Sequence, residues 1–361
     1  MEAYATLDTR ALAHNLNVAR ARAPGCRLMA VVKADGYGHG LETVARSLSA
    51  ADGFAVARLS EALRLREAGL AHPILLLEGV FGADELAAAA RHHLDVVVHT
   101  QEQVELFESG RSRGRVNVWL KADTGMGRLG VSAAEWQGCA QRLGRCAMVA
   151  TPLRAMTHFA CADDVDHPLT ATQIAAFNRL VGDAPVDISL ANSAGILLWP
   201  DAVRVPQSGN NWIRPGLMLY GVSPTSQYTA AALGLKPVLR VASRIIAVKD
   251  ISEGATVGYG AEWCAGRATT IAVVAAGYGD GYPLQGDRLP ALVNGQRVEV
   301  VGRVSMDILT IDVSDIERPK IGDEVVLFGG ELPIEEVAAA AGTIPYTLLC
   351  GVTQRVRREV V

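Results

Sequence analysis

Lys33 occupies the position that most favours chemistry, because it ends an apolar segment, residues 28–33, with the length of a buried strand. A turn-rich segment with three glycines, residues 34–40, follows it directly. An ammonium group at the end of a buried strand is costly to desolvate. That cost disappears if the nitrogen is uncharged or bonded covalently to an aldehyde cofactor. A lysine that simply marks where the strand reaches water remains the alternative at this point.

Polar residues also end the other apolar segments of strand length. These segments are residues 28–33, 54–58, 74–78, 95–99, 116–121, 153–158, 187–192 and 212–214. Their last residues are Lys33, Arg58, Glu78, His99, Lys121, His158, Asn192 and Arg214. Such a ring of polar strand ends is expected around an active-site mouth, where parallel strands end together. We interpret Arg58, Glu78 and His99 as rim residues that only close ion pairs.

The last two segments are followed by loops that suit an anion. Ser193 supplies a hydroxyl directly after Asn192, and Gly216 allows backbone N–H groups to approach a ligand closely. A helix N-cap at Ser193 and a plain turn at residues 215–216 are the alternatives. Together with Lys33, the two loops indicate a phosphorylated aldehyde, which means pyridoxal phosphate (PLP).

Helical patterns fill the intervals between these strand segments. They cover residues 41–48, 61–68, 83–91, 101–108, 133–143 and 172–181. Thr100 with Gln103, and Thr170 with Gln173, are predicted capping boxes. Eight strands that alternate with helices over about 220 residues are typical of a (β/α)8 TIM barrel. A doubly wound sheet is the alternative, but the first strand segment is not followed by the Gly-x-Gly-x-x-Gly turn that would support it.

The sequence pattern changes after Tyr220. Residues 221–231 resemble a linker, and the later segments favour β structure interrupted by one helix at residues 334–341. Asn294 and Gly295 form the pair that is typical of a tight hairpin turn. We therefore predict a barrel domain over residues 1–231 and a mainly β domain over residues 232–361, and the first few residues of the chain are candidates to pair with the second domain.

Composition excludes several classes of protein. The net charge of −4 over 361 residues gives no basic footprint for nucleic acid. The chain start has no apolar signal-peptide core, and no apolar run approaches the length that spans a bilayer. The six cysteines are scattered, which indicates reduced thiols and not a disulfide framework or a zinc site. We expect a cytoplasmic protein with no metal, no nucleic-acid partner and no membrane partner.

Short motifs follow one another along nearly the whole chain. In the barrel they are Val32-Lys33-Ala34-Asp35-Gly36-Tyr37-Gly38-His39-Gly40, Lys121-x-Asp123-Thr124-Gly125-Met126-Gly127-Arg128, Thr157-His158-Phe159, Ala191-Asn192-Ser193 and Arg214-Pro215-Gly216. In the second half they are Val257-Gly258-Tyr259-Gly260, Ala276-Gly277-Tyr278-Gly279-Asp280-Gly281-Tyr282-Pro283 and Gly302-Arg303-Val304-Ser305-Met306-Asp307. Each motif alone is weak, but the ordered set resembles the alanine racemase family, PLP-dependent enzymes with a TIM barrel and a C-terminal β domain.

The resemblance implies roles for the motif residues. Lys33 would bind PLP covalently and act as one catalytic base, while Tyr259 of the partner subunit in a homodimer would be the base on the opposite face. The implied cofactor-binding residues are Lys33, Tyr37, Arg128, His158, Asn192, Ser193, Arg214, Gly216, Leu217 and Tyr346. Arg128 and Met306, the latter from the partner, would contact substrate, and Tyr278 would narrow the entrance.

Two further expectations follow from the resemblance. Arg214 would face the pyridine nitrogen of PLP, with His158 packed on the ring. Lys121 stands where the family often carries a carbamylated lysine, which would pair with Arg128; an ordinary lysine near Asp123 is the alternative.

The implied activity is the interconversion of L-alanine and D-alanine by two-base proton transfer at Cα of the PLP-bound substrate. D-alanine is a precursor of cell wall peptidoglycan, although a role in D-alanine breakdown is equally open. Two other functions remain possible from the sequence: a broader racemase acting on serine, lysine or arginine, and a non-catalytic PLP carrier. A carrier would need no second-face base, whereas Tyr259 is present.

Overall fold

Eight parallel strands form a closed barrel in the computed structural model, which describes residues 1–110, 114–204 and 209–361. In chain order they are Arg27–Val31, Gly53–Val56, Ile74–Leu76, Asp95–Val98, Val116–Lys121, Val149–Met156, Ile188–Ser189 and Trp212–Ile213. The last strand pairs with the first, and a bridge between Ile188 and Asn211 joins it to the seventh. The (β/α)8 prediction is confirmed.

The barrel strands are apolar on both faces because side chains fill the interior and helices cover the outside. Trp119 and Trp212, both fully buried, meet inside the barrel with their ring centroids 6.2 Å apart. The covering helices are Thr9–Arg22, Leu41–Ser47, Leu59–Glu67, Ala83–Arg91, Gln101–Ser109, Ala133–Arg145, Leu169–Val181, Ser193–Leu198 and Pro200–Val203. None of the helices in the described part of the chain is long and apolar enough to cross a membrane.

The two predicted capping boxes have different outcomes. Thr100 does cap the helix Gln101–Ser109, since its hydroxyl accepts from the N–H of Gln103, but the Gln103 side chain accepts from the backbone N–H of His99 instead of returning to the cap. The second box is wrong. Thr170 lies inside the helix Leu169–Val181, one residue after its start.

The second sheet also has eight strands, and six of them close into a ring. In spatial order they are Thr269–Val274, Leu309–Asp312, Gln296–Val300, Pro290–Val293, Glu324–Phe328, Leu239–Ile251, Tyr4–Leu7 and Arg357–Val360. The ring closes because Leu239–Ile251 pairs with Thr269–Val274 as well. The strand Tyr4–Leu7 thus joins the second sheet. A short ribbon, Thr256–Val257 with Trp263–Cys264, lies apart from this sheet.

Turns and helices in the second half match the sequence pattern in part. Asn294 and Gly295 both have positive φ between the paired strands Pro290–Val293 and Gln296–Val300, as a tight hairpin requires. Two helices are present where one was predicted. Ile334–Ala340 is the predicted one, and Pro345–Gly351 was missed. The domain boundary at residues 231–232 stays a prediction.

Candidate active site

A cavity of about 580 Å³ opens at the carboxyl ends of the barrel strands. Eleven residues singled out from the sequence line it: Lys33, Tyr37, Lys121, Arg128, His158, Asn192, Ser193, Arg214, Gly216, Leu217 and Tyr346. A cavity of this size with convergent polar groups is the usual form of a small-molecule site. It lies at the barrel face where active sites of this fold are found.

Lys33 enters the cavity from an unusual turn. The residues after it, Ala34, Asp35, Gly36 and Tyr37, all have positive φ between 53° and 64°, although only one of them is glycine. Left-handed conformations cost L-residues about 1–2 kcal/mol each, so such a turn persists only where its surroundings hold it. Glu61, from a neighbouring helix, stabilises the turn by accepting a hydrogen bond from the N–H of Ala34 at 2.7 Å.

One wall of the cavity is formed by the Ser193 hydroxyl, the backbone at Gly216 and the Tyr37 hydroxyl, and we call these groups the cup. The Ser193 hydroxyl accepts from the backbone N–H of Gly216 at 2.9 Å and of Met218 at 3.2 Å. A Cβ on Gly216 would lie 2.6 Å from the Tyr37 hydroxyl, so only glycine leaves the cup open. Ser193 is not the helix N-cap; Asn192 caps the helix Ser193–Leu198 by accepting from the N–H of Gly195.

Arg214 lies fully buried at the base of the cavity. Its guanidinium donates to the Ser189 hydroxyl and to the carbonyl of Thr157 at 2.7 Å, and it also donates to Nδ1 of His158 at 3.2 Å. Burial lowers the pKa of Arg214 to about 10, so the side chain stays cationic at neutral pH. Burial, together with the nearby Arg214 and Lys121, lowers the pKa of His158 well below its ordinary value, so His158 is neutral.

Lys121 ends the fifth barrel strand and lies buried near the cations Arg214 and Arg128. Burial first, and then the charges of Arg214 and Arg128, lower its pKa to about 8. Within the described residues Asp123 forms no ion pair with Lys121; its carboxylate accepts from the N–H groups of Gly125, Met126 and Gly127. The cavity therefore carries a strong excess of positive charge.

The helix Pro345–Gly351 forms one side of the cavity through Tyr346 and Cys350. Burial raises the pKa of Tyr346 to about 12, so its hydroxyl is protonated. The ring centroid of Tyr346 lies 5.8 Å from that of Tyr37. Sequence reasoning missed this helix and Cys350; the signal available was Pro345, because proline favours the first turn of a helix.

Some of the strand-end interpretations change. Glu78, which was interpreted as an ion-pairing rim residue, lines the cavity. His99 is buried and bonds through Nε2 to the backbone carbonyl of Glu78 at 2.9 Å, which is not an ion pair. Gln173, predicted only as part of a cap, instead donates to the carbonyl of His158 and accepts from the N–H of Ala160. It therefore holds the loop that carries His158.

Three predicted site residues lie outside the cavity of the single chain. Tyr259, Tyr278 and Met306 are 70%, 42% and 53% exposed, and all three belong to the second half of the chain. The backbone N–H groups of Tyr278 and Gly279 donate to the carbonyls of Ser305 and Met306, so two of these motifs meet on one surface. The structure of one chain does not bring them to Lys33.

A parallel barrel with a polar, cationic cavity at its carboxyl-end face, followed by a closed antiparallel sheet, defines a TIM-barrel enzyme with an appended β domain. Family models for the alanine racemase N-terminal and C-terminal domains match residues 7–224 and 238–360. The chain belongs to the alanine racemase family.

Individual alanine racemases match the chain over its full length. The chain is 49% identical to an alanine racemase of Shewanella amazonensis, over 98% of this chain and 97% of that protein. It is similar to the crystal structure of the biosynthetic alanine racemase from Pseudomonas aeruginosa, with a TM-score of 0.96, 43% identity and complete coverage of both chains. The alanine racemase of Bartonella henselae, with covalently bound pyridoxal phosphate, matches with a TM-score of 0.86, 29% identity and complete coverage of both chains.

Proposed function

We propose that this chain interconverts L-alanine and D-alanine, with PLP as cofactor. The observation that carries the proposal is that Lys33 and the Ser193–Gly216 cup face one cavity, as a phosphorylated aldehyde requires. When bound, PLP supplies an aldehyde for the amino group of the substrate and a conjugated ring that withdraws electrons from Cα. The full-length relatives named alanine racemase favour alanine over a broader substrate range and over a carrier role.

The cavity residues fit PLP by their chemistry. The space kept open by Gly216, next to the hydroxyls of Ser193 and Tyr37, suits a phosphate group, and Tyr346 lines the same cavity. The backbone at Leu217 and the side chain of Asn192 complete this wall. Lys33 lines the same cavity and would be the covalent attachment point.

Arg214 and His158 are proposed to hold the cofactor ring. Arg214 can only donate a hydrogen bond, so it favours a pyridine nitrogen without a proton. An unprotonated ring accepts less charge from the substrate Cα, which disfavours side reactions that protonate the cofactor. His158 is neutral and buried, so its ring suits packing on an aromatic face.

Lys33 is proposed to move a proton at one face of the substrate Cα, and Tyr259 of the partner subunit at the other. Two bases on opposite faces invert the configuration without turning the substrate. Tyr259 is highly exposed in the single chain, which supports its use by a second copy in a homodimer. Met306 and Tyr278, exposed in the same half of the chain, would contact substrate and line the entrance of the partner's cavity.

We also propose that Lys121 carries a carbamate that pairs with Arg128. A carbamate replaces a buried cation by an anion among Arg128 and Arg214, which relieves the excess of positive charge. The lowered pKa of Lys121, about 8, supplies the uncharged amine that reacts with carbon dioxide. Arg128 would then be held for contact with cofactor and substrate. A cytoplasmic location and the use of D-alanine in the cell wall stay predictions.

The activity is tested with the purified chain and PLP. We expect D-alanine from L-alanine and the reverse, with much slower turnover of L-serine, L-lysine and L-arginine in parallel. Lys33→Ala is expected to abolish turnover. Equal rates across the panel would support the broader racemase, and PLP binding without any turnover would support the carrier.

The shared site has its own test, which mixes Lys33→Ala and Tyr259→Phe subunits. Each variant alone is expected to be inactive. A hybrid dimer contains one site with both native residues if Tyr259 acts across the interface, so random mixing restores about a quarter of native activity. Absence of any recovery, with hybrid formation verified by differential tags, would contradict the shared site.

A further inference from the structure

His39 is a buried histidine next to the cofactor-binding turn, with no role in the proposed chemistry. It is 1% exposed, and its Nδ1 lies 2.7 Å from the backbone carbonyl oxygen of Tyr37. A carbonyl can only accept a hydrogen bond, so Nδ1 carries the proton. Nε2 is buried and has no hydrogen-bond partner among the described residues. The His39 side chain therefore bonds this turn at the Tyr37 carbonyl, while the backbone N–H of His39 donates to the carbonyl of Gly36 at 3.1 Å.

The rings of His39, Tyr220 and Tyr37 form a continuous stack. Tyr220 lies between the other two, with ring centroids 4.6 Å from His39 and 4.6 Å from Tyr37. The Tyr220 ring and the Tyr37 ring are nearly parallel, at 25°, whereas the His39 ring is tilted by 41° against the Tyr220 ring. Tyr220 itself is anchored, because its hydroxyl donates to the carbonyl of Val31 over 3.1 Å. His39 thus supports both the backbone and, through Tyr220, the ring of Tyr37.

Tyr37 needs such support because its backbone is in the left-handed region, with φ of 53°. A non-glycine residue keeps this conformation only where neighbouring groups hold it. The Tyr37 hydroxyl lies next to Gly216, 2.6 Å from where a Cβ on that residue would be. A small rotation of the Tyr37 backbone would move its hydroxyl away from the cup.

The surroundings keep His39 uncharged. Burial lowers its pKa to about 4, and the nearby charge of Arg358 acts in the same direction, while Asp35 opposes it. Arg358 donates to the carbonyl of Gly38 at 2.9 Å, so it holds the following peptide of the same turn. At neutral pH the imidazole is therefore uncharged and keeps one donor, at Nδ1.

We propose that His39 is a positioning residue for the phosphate subsite: it fixes the carbonyl and the ring of Tyr37, so that the Tyr37 hydroxyl meets the cofactor phosphate. The inference rests on the proposed function, because it assumes that PLP occupies the cavity. It differs from a core-packing role in one respect. A packing residue affects all ligands of the cavity alike, whereas a residue that positions Tyr37 affects only ligands with a phosphate.

The test compares PLP with pyridoxal, which lacks the phosphate, by titrating each into the cofactor-free full-length chain. Cofactor absorbance reports binding, and the measured quantity is the ratio of the two dissociation constants. His39→Asn places an amide N–H near the position of Nδ1, whereas His39→Gln carries the same amide one carbon further out. His39→Phe keeps the ring and removes the donor. The thermal unfolding midpoint of each cofactor-free variant is recorded alongside.

We expect His39→Gln and His39→Phe to lower the preference for PLP over pyridoxal about tenfold, the size of one hydrogen bond, and His39→Asn to restore most of it. Tyr220→Leu is expected to lower the preference for PLP, and Tyr220→Phe is expected to keep it. These two variants test the ring contacts even if the His39 variants do not fold. An unchanged ratio in all variants, or equal damage by Asn and Gln, overturns the inference. Failure of the native chain to bind PLP contradicts the proposed function instead.

Discussion

Arg214 donates a hydrogen bond from Nη2 to Nδ1 of His158 over 3.2 Å, so His158 accepts at that nitrogen and carries no proton there. A cation and a neutral imidazole therefore lie side by side at the base of the cavity. Burial keeps this arrangement, since it lowers the pKa of His158 well below its ordinary value while Arg214, with a pKa of about 10, stays charged. Of the two, Arg214 can only donate a hydrogen bond, and in the proposed function it would face the pyridine nitrogen of PLP.

Replacing Arg214 by glutamate is expected to increase transamination relative to racemisation. A carboxylate accepts a hydrogen bond and so stabilises a protonated pyridine nitrogen, which draws more charge from the substrate Cα. The measurement is the ratio of pyruvate to D-alanine formed from L-alanine by the loaded enzyme.

The matched control for this change is Arg214→Lys, which keeps the positive charge and loses some of the contacts to Ser189 and Thr157. We expect it to lower the rate without changing the product ratio. A ratio that stays the same in Arg214→Glu would show that the group opposite the nitrogen does not control the outcome.

Gly216→Ala is expected to weaken PLP binding by about tenfold or more, because the new methyl group would lie 2.6 Å from the Tyr37 hydroxyl. The new methyl group would meet the Tyr37 hydroxyl first, so the expected effect is local to the cavity. The dissociation constant for PLP measures it. Gly138→Ala is the control: Gly138 lies in the helix Ala133–Arg145 with nothing within 4 Å of its would-be Cβ, and its substitution should leave binding unchanged.

Lys121 is expected to bind carbon dioxide increasingly as the pH rises from about 6.5 to 8.5, because its neutral fraction grows through its pKa of about 8. Carbon-13 NMR of the chain in labelled bicarbonate would detect the carbamate as a slowly exchanging carbonyl signal. Lys121→Gln removes the amine and should lose the signal. The same signal in Lys121→Gln would assign the carbamate to another amine.

The strands and the order of the barrel were predictable because buried parallel strands are apolar on both faces and end in polar residues. The segment Val116–Lys121 has the predicted bounds, Arg214 follows the strand Trp212–Ile213 directly, and Lys33 lies two residues after the strand Arg27–Val31. The helix Pro345–Gly351 was not predictable in this way. It is short, and its start has no capping side chain; Pro345 is the one residue that indicates a helix there.

Contacts between distant parts of the chain lie beyond single-sequence reasoning. No local sequence pattern indicates that Gly216 faces Tyr37, or that the Gln173 side chain donates to the carbonyl of His158 instead of capping a helix. These contacts depend on how loops from different strands converge at the barrel mouth. The same reason explains why Glu78 was assigned to the rim although it lines the cavity.

The free energy of unfolding is expected to fall as the pH drops from about 6.5 to 4, because His39 has a lowered pKa of about 4 in the folded chain and an ordinary value when unfolded. The unfolded chain binds a proton in this window and the folded chain does not, so acid favours unfolding; above 6.5 the effect vanishes. The contribution is about 3 kcal/mol for a shift of this size. Urea unfolding at pH 7, 5.5 and 4.5 measures it, with His39→Asn expected to flatten the slope in part, because His158 also has a lowered pKa. His93→Asn, which removes an exposed imidazole at a positive φ that asparagine tolerates, is the control, and an equal flattening there would contradict the assignment to His39.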